Sequence, residues 1–234
     1  MTMHMHNGAF HITVPVDSSK VAILETIFVM RSWIEEHLQQ YLHEQKNRKI
    51  PEEIFVPLQS TWFKVHCLPL SALHNIGKTK KILVKNQTDS IYYLEQIPNL
   101  VFFGNMNNLD LVKLALQKWG LAKGKELLPR YLQHLAAVHR FCIPKVFVRN
   151  QKSRWGSCGQ DRKGGYQIQL NWRAVFLPIP LLRQLCQHEL CHTLHMNHSK
   201  AFHAAMQRLN SCAEKTEREL TQYDKTLSWW TKFS

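Results

Sequence analysis

The sequence predicts an α+β protein with a β-containing N-terminal region and a more helical C-terminal domain. Two observations predict this fold class. In residues 1–106, one long helical segment is followed by short runs rich in β-branched and aromatic residues, with turn residues between them. In residues 107–234, longer helical patterns dominate and only two runs are strand-like. We therefore expect two domains, residues 1–106 and residues 107–234.

The N-terminal region is expected to begin with a strand and a helix. The strand runs from Phe10 to Val16, and Ser19 or its neighbours can cap a helix from Val21 to about Gln45. Turns at Gly77 and Asp89 then separate further strands. These strands are Thr61 to Leu68, Lys81 to Lys85, Ser90 to Gln96 and Asn99 to Gly104.

The C-terminal domain is expected to place helices around two strands. The first helix runs from Asn108 to about His139, with breaks near Gly120 to Gly124 and at Pro129. A later helix runs from Leu181 to about His195, and Pro178 precedes it as prolines often precede helix starts. The strands are Pro144 to Arg149 and, after a glycine-rich basic loop from Gly159 to Gly165, Tyr166 to Asn171; two more helical segments end the chain.

Composition is that of a soluble globular protein. Hydrophobic residues make up 44% and charged residues 20% of the 234 residues, which suffices for a core. The six cysteines include no CxxC pair, so we expect reduced thiols. The first residues lack the pattern of a signal peptide, and no apolar stretch is long enough to span a bilayer. These features predict a cytoplasmic protein with no membrane partner.

Positive charge concentrates in the middle of the second half. The formal net charge is +13, and residues 101–200 contain 15 lysines and arginines against four acidic residues. Because phosphate backbones attract such an excess, nucleic acid is an expected partner. The alternative is a general contribution to solubility, since the basic residues are spread along the segment and do not form a run.

His188, Glu189 and His192 form the pattern HExxH within the predicted helix. Residues four apart on a helix lie about 40° apart around its axis, so both imidazoles can reach one metal ion. Glu189 then projects to the side, where it can act on a water that the metal activates. With 14 histidines in the chain the pattern can arise by chance, but its position on a predicted helix favours a zinc hydrolase centre.

A catalytic zinc site needs a third protein ligand. His195 shares a helix face with His188 but lies about 10 Å further along the axis if the helix continues. A left-handed residue at Asn197 can turn the chain back, and Ser199 can cap the next helix. His198 is therefore the expected third ligand. The alternatives are His203 and, after it, Glu214 or Glu217.

Further sequence segments accompany the HExxH pattern. They are Lys152 to Cys158, Ile168 to Arg173, and His188 to His192 followed by Asn197-His198-Ser199 and Phe202. In order and spacing they resemble the YgjP-like metallopeptidases, relatives of the SprT-like proteases that include Spartan. The resemblance covers about residues 140–206, extends loosely back to about residue 110, and is weak in the N-terminal half.

The resemblance implies a zincin-like metalloprotease domain with Zn2+ as cofactor and a protein or peptide as substrate. It implies that His188, His192 and His198 are the zinc ligands and that Glu189 is the catalytic acid–base. The histidine spacing equals that of metzincins, but His195 stands where their pattern has glycine. No Met-turn is evident downstream, so the resemblance does not extend to that group.

Arg154 is a further candidate site residue, in a tight loop upstream of the HExxH helix. Its guanidinium can contact a substrate or stabilise an oxyanion, or it can be structural and stack on Trp155 or Trp172. The strand from Tyr166 to Asn171 can pair with an extended peptide if it lies at a sheet edge.

The expected reaction is peptide-bond hydrolysis, in which zinc activates a water and Glu189 takes its proton. One alternative is a non-catalytic, zinc-stabilised module that binds nucleic acid. Structural zinc sites usually have four protein ligands, often cysteines, which speaks against it. The other alternative is a metal hydrolase that acts on a non-peptide amide, which the residues do not distinguish from a peptidase.

Overall fold

The computed structural model describes residues 2–6, 9–46, 48–75, 82–142 and 144–232. The chain forms two compact units, one from residues 1–50 with 232–234 and the other from residues 51–231. The mixture of helices and sheets agrees with the predicted α+β class. The predicted boundary at residue 106 does not coincide with this division, because the helix after it packs on the sheet before it within the second unit.

The first unit contains a hairpin and two helices. Strands β1 (Thr2–His6) and β2 (Ala9–Thr13) pair antiparallel. Helix α1 (Lys20–Val29) begins after Ser19, whose hydroxyl accepts a hydrogen bond from the backbone N–H of Ala22, so the predicted cap is present. The single helix predicted for this segment is wrong, because α1 ends at Val29, with Met30 as its C-terminal cap, and α2 (Arg31–Lys46) follows it.

A five-stranded sheet opens the second unit. Its strands are β3 (Glu53–Val56), β4 (Thr61–Leu68), β5 (Ile82–Lys85), β6 (Ser90–Gln96) and β7 (Asn99–Gly104). They stand in the order β3-β4-β7-β6-β5, with β4 and β7 parallel and the other pairs antiparallel. The predicted strands are confirmed and β3 was not predicted. Lys81 and the turn predicted at Gly77 lie outside the described residues.

Helix α3 (Leu109–Val138) is continuous through the residues where breaks were predicted. Its core-facing side chains pack on the sheet; for example, the rings of Trp119 and Phe63 lie 5.3 Å apart. Gly120 and Gly124 face Trp172, where a Cβ on Gly120 would lie 2.4 Å from the indole ring. The two glycines therefore serve close packing of the helix on Trp172 rather than ending the helix.

A three-stranded sheet lies further along the chain. Its strands are β8 (Lys145–Arg149), β9 (Gly156–Gln160) and β10 (Tyr166–Asn171). β10 is central, parallel to β8 and antiparallel to β9. Because β8 and β9 pair with its two sides, β10 is not an edge strand, and the condition for its pairing with an extended peptide is not met.

Three helices complete the second unit: α4 (Ile179–Cys191), α5 (Lys200–Leu209) and α6 (Ala213–Tyr223). α4 ends earlier than predicted, with His192 as its C-terminal cap. Its inner face is apolar, with Leu182, Leu185 and Leu190 buried. Within the described part of the chain, no helix combines the length and apolar character needed to cross a bilayer.

Candidate metal centre

Three histidines converge where α4 ends and α5 begins. His188 is in the last turn of α4, His192 caps that helix, and His198 directly precedes Ser199, the cap of α5. The Nε2 atom of His188 lies 3.2 Å from the Nε2 atoms of both His192 and His198. The three imidazoles are the metal-ligand cluster found among the described residues, with ligand atoms within 4.8 Å of one another.

The turn between the helices brings His198 back without a left-handed Asn197. Among the described residues other than glycine, positive φ angles occur at Ser60 and Arg140. The chain turns because α4 stops at Cys191, and the hydroxyl of Ser199 accepts a hydrogen bond from the backbone N–H of Phe202 at 3.4 Å to start α5. The predicted turn is present, but its predicted cause is wrong.

The protonation states of the imidazoles suit a metal. His192 Nδ1 lies 3.0 Å from the carbonyl oxygen of His195, which can only accept, so Nδ1 carries the proton and Nε2 presents its lone pair. Burial, followed by the charges of the neighbouring histidines, lowers the pKa of His188 to about 4. Burial also lowers the pKa of His192. His188 and His192 are therefore neutral at pH 7, which is the form in which an imidazole can bind a metal.

Phe202 provides the apolar support of the cluster. Its ring is 1% exposed, stacks on His192 at 4.7 Å and meets His188 and His198 edge-on at 5.0 and 4.8 Å. Sequence reasoning used Phe202 only as part of a motif. Its position on the first turn of α5, four residues after the third histidine, explains how one ring touches all three imidazoles.

Glu189 is buried beside the histidines. The residue is 4% exposed, and its Oε2 atom has no hydrogen-bond partner among the described residues. Burial raises the pKa of Glu189 to about 8, while the positive charge of Arg154 acts in the opposite direction. A buried carboxylate oxygen without a hydrogen bond destabilises the fold unless another group or a water molecule donates a hydrogen bond to it.

Gly156, which sequence reasoning missed, leaves the space that Glu189 occupies. A Cβ at residue 156 would lie 2.6 Å from Oε1 of Glu189. Gly156 begins β9, the edge strand, so the carboxylate is held directly against the start of that strand. No sequence signal identifies this contact, because 33 positions of chain separate the two residues.

A pocket of about 220 Å³ adjoins this carboxylate. It is lined by side chains of the β8–β9 loop, α4 and α6, among them Arg154, His188, Glu189 and Glu217. The structure thus brings the exposed Arg154 to the candidate site. The stacking expected of a structural arginine is made by Arg173, whose guanidinium lies 5.1 Å from the centre of the Trp155 ring.

Asn171 fixes the loop that carries Arg154. Its buried side-chain amide donates hydrogen bonds to the carbonyl oxygens of Gln151 and Arg154, at 2.7 and 2.9 Å. Its own backbone N–H donates to the carbonyl of Trp155 at 2.7 Å. The sequence places Asn171 at the end of a predicted strand and within the segment Ile168 to Arg173, but its role depends on a contact across the fold.

The other candidate ligands lie outside the cluster. The ring of His203 is 6.4 Å from that of His198, and His195 contributes its backbone carbonyl rather than its imidazole. Glu217 lies on the opposite side of His188, with Oε1 4.0 Å from Nδ1. Glu214 is 90% exposed and lies 3.8 Å from Arg218.

A family model described as YgjP-like, metallopeptidase domain, matches residues 1–223. The match covers nearly the whole chain, including the N-terminal half, where the sequence motifs showed only weak similarity. No curated protein and no solved structure shows significant similarity to the chain.

Proposed function

The chain belongs to the YgjP-like metallopeptidase family, and on that premise we propose that it is a zinc-dependent peptidase. His188, His192 and His198 hold the metal and Glu189 is the general base. The observation that carries this proposal is the convergence of three Nε2 atoms beside a buried carboxylate oxygen without a partner.

The donor set fits zinc. Imidazole nitrogens suit Zn2+, and three protein ligands leave a fourth position open, as catalytic zinc sites require. A structural site would need a fourth protein ligand, and no cysteine or carboxylate joins the three histidines among the described residues. This supports a catalyst over a zinc-stabilised binding module.

When bound, zinc acidifies a water molecule and polarises a carbonyl group. The protein's own groups carry the rest of the reaction. Oε2 of Glu189 accepts a proton from the attacking water and then gives it to the leaving amine nitrogen. Burial raises the pKa of Glu189 above its usual range and brings it closer to neutral pH, which suits a group that must both take and return a proton.

The edge of β9 favours a peptide over another amide as substrate. β9 pairs with β10 on one side, and among the described residues no strand pairs with its other side. An extended peptide can therefore add to this edge through backbone hydrogen bonds next to Glu189. Arg154, in the adjoining pocket, can then donate to a substrate carbonyl oxygen or the oxyanion that forms from it.

Zinc analysis tests the ligand assignment first. Purified wild-type protein should contain about one zinc per chain, and His192→Ala should lose most of it. Full zinc occupancy of His192→Ala would refute the assignment.

Glu189→Gln tests the mechanism. This change preserves the shape of the side chain and removes the base, so zinc content and folding should stay nearly unchanged while hydrolysis falls about 10²- to 10⁴-fold. Denatured casein, or self-cleavage over a long incubation, provides a first substrate. Wild-type activity in Glu189→Gln would exclude Glu189 as the base, and a wild type that binds zinc and nucleic acid but cleaves nothing would favour the binding module.

A further inference from the structure

We propose that Glu217 is a positioning residue that orients His188 for metal binding through the outer nitrogen of its ring. This inference rests on the proposed function and assigns a role to a side chain of α6. The two ring nitrogens of His188 face different neighbours: Nε2 points to the other two histidines, and Nδ1 faces Glu217 Oε1 at 4.0 Å.

His192 shows what His188 needs. A metal-binding imidazole normally donates a hydrogen bond from its other nitrogen, which fixes the tautomer and the ring orientation. For His192 the acceptor is the backbone carbonyl of His195. For His188 the acceptor group that faces Nδ1 is the carboxylate of Glu217, so a side chain takes the place of a carbonyl.

The sequence of α6 leaves Glu217 available for this role. Glu214 and Glu219 each have a cation four residues away, at 3.8 Å from Arg218 and 3.9 Å from Lys215 respectively. Glu217 has Ala213 and Thr221 at those positions and forms no ion pair with a lysine or arginine in the described part of the chain. Its carboxylate faces His188 instead, across the packed helices α4 and α6.

The 4.0 Å gap sets the size of the effect. A small rotation of either side chain, or one bridging water, converts this separation into a hydrogen bond. The Glu217 side chain is 56% exposed, so water screens its charge. We therefore expect the low end of the 10- to 100-fold range known for partners of metal-binding histidines, which is about tenfold in zinc affinity.

The same geometry excludes Glu217 as a ligand in its own right. A ligand would have to join the three Nε2 atoms, whereas Glu217 lies on the Nδ1 side of His188. Its substitution should weaken zinc binding while leaving the stoichiometry at one zinc per chain. Loss of a ligand such as His192 should instead abolish most of the binding.

Competition with a chelator of known zinc affinity measures the effect. The variants are Glu217→Ala, Glu217→Gln and the control Glu219→Ala, which removes the same charge from the same helix at a matched exposure of 52% against 56%. Glu217→Ala should bind zinc about tenfold more weakly than wild type. The zinc affinity of Glu217→Gln, whose amide oxygen can still accept a hydrogen bond from Nδ1–H, should lie between those of Glu217→Ala and wild type. Glu219→Ala should bind zinc as tightly as wild type.

The absorption spectrum of the Co2+-substituted proteins provides a second readout, because it reports the geometry of the ligands. A shift in Glu217→Ala but not in Glu219→Ala is expected. If Glu217→Ala does not fold, Glu217→Gln, which has nearly the same shape, carries the test alone.

The outcomes separate this inference from the proposed function. Wild-type affinity in Glu217→Ala, or an equal loss in Glu219→Ala, overturns the role of Glu217 while the zinc site stands. Failure of wild type to bind zinc overturns the proposed function itself. Loss of one full equivalent of zinc in Glu217→Ala would make Glu217 a ligand and would equally refute a positioning role.

Discussion

Glu95 and Glu189 both lie in the second unit, but the two regions treat their carboxylates differently. Where α3 packs on the five-stranded sheet, Glu95 accepts a hydrogen bond from Trp119 Nε1 at 2.7 Å and pairs with Lys123. Where α4 packs on the edge strand β9, Glu189 is more deeply buried and its Oε2 has no partner among the described residues. The first carboxylate is paired within the fold, whereas the second keeps one oxygen available for the proposed reaction.

Glycine shows the same contrast. Gly120 of α3 makes room for Trp172, an indole held by a hydrogen bond from its Nε1 to Asn150 Oδ1. Gly156 of β9 makes room for the Glu189 carboxylate. One glycine serves packing and the other makes room for the proposed general base, so alanine at each position should affect different measurements.

Of the substitutions considered, Glu95→Ala should have the largest effect on the free energy of unfolding. It removes the closer of the two carboxylates that pair with the Lys123 ammonium, whose side chain is 5% exposed, and leaves the Trp119 N–H without an acceptor. We expect a loss of about 3 kcal/mol in the free energy of unfolding, measured by urea denaturation, with zinc affinity unchanged.

Glu126→Ala is the matched control for this prediction. Glu126 pairs with the same lysine at 3.1 Å, but its side chain is 47% exposed, so the loss should stay below about 1 kcal/mol. Equal destabilisation by the two variants would show that burial does not distinguish the two ion pairs.

Gly156→Ala should lower catalytic activity and leave the free energy of unfolding nearly unchanged. The new Cβ would displace the Glu189 carboxylate, because 2.6 Å is far below the contact distance of a carbon and an oxygen. We expect kcat/KM to fall about tenfold, which corresponds to about 1.4 kcal/mol, with zinc content unchanged.

Gly159→Ala on the same strand is the control, since a Cβ there meets nothing within 4 Å. It should retain activity. If Gly156→Ala were also fully active, the position of Glu189 against β9 would not matter for catalysis.

Gly120→Ala should have two opposing effects on stability. Alanine stabilises a helix by about 1 kcal/mol relative to glycine. The new Cβ would lie 2.4 Å from the Trp172 ring, which is 1% exposed and enclosed by Phe176 and Trp230, so it cannot move aside. Overpacking of about 2 kcal/mol should win, for a net loss of about 1 kcal/mol in urea denaturation.

Gly124→Ala provides a milder case for comparison, because its new Cβ would lie 3.2 Å from the nearest atom of Trp172. It should be close to neutral, with helix propensity and the milder contact nearly cancelling. A larger loss in Gly124→Ala than in Gly120→Ala would contradict the role given to the Trp172 ring.

The parts of the candidate site that depend on short-range geometry could be predicted from the sequence. His188 and His192 are one helical turn apart, and His198 follows within a turn that Ser199 terminates, so their convergence could be predicted from spacing. Most of the strands could be predicted in the same way, from local alternation and turn residues.

The rest depends on contacts between distant segments. Three such contacts are those of Gly156 in β9 with Glu189 in α4, of Asn171 in β10 with the loop that carries Arg154, and of Glu217 in α6 with His188 in α4. The continuity of α3 has the same origin, because Trp172 stabilises a helix that its glycines alone would weaken. Helix propensity and turn patterns carry no information on such contacts.

The count of basic residues along the chain overestimates the positive charge that is exposed for contact with nucleic acid. Of the 15 basic residues between 101 and 200, three are buried: Lys113, Lys123 and Arg173. Lys123 pairs with Glu95 and Arg173 with Asp224, so both charges serve the fold. The exposed remainder is still positive, which leaves weak and sequence-independent binding as the expected behaviour.

Arg162 and Lys163 provide the test of this last and smallest effect. They are exposed on the β9–β10 turn, which Asp161 fixes by accepting hydrogen bonds from two backbone N–H groups, while Lys145 pairs with the Asp161 carboxylate and offsets its charge. We expect wild type to bind single- or double-stranded nucleic acid with a dissociation constant of roughly 10⁻⁴–10⁻⁶ M that weakens steeply with salt. Replacing both residues with glutamine should reduce the slope of log affinity against log salt by about 2, since each contact releases about one counterion.

Lys215→Gln, which removes one exposed charge from α6, should leave the slope unchanged. Absence of binding at low ionic strength would remove nucleic acid as a partner and leave solubility as the role of the charge, whereas an equal change in slope for the control would show that net charge, and not this turn, governs the interaction.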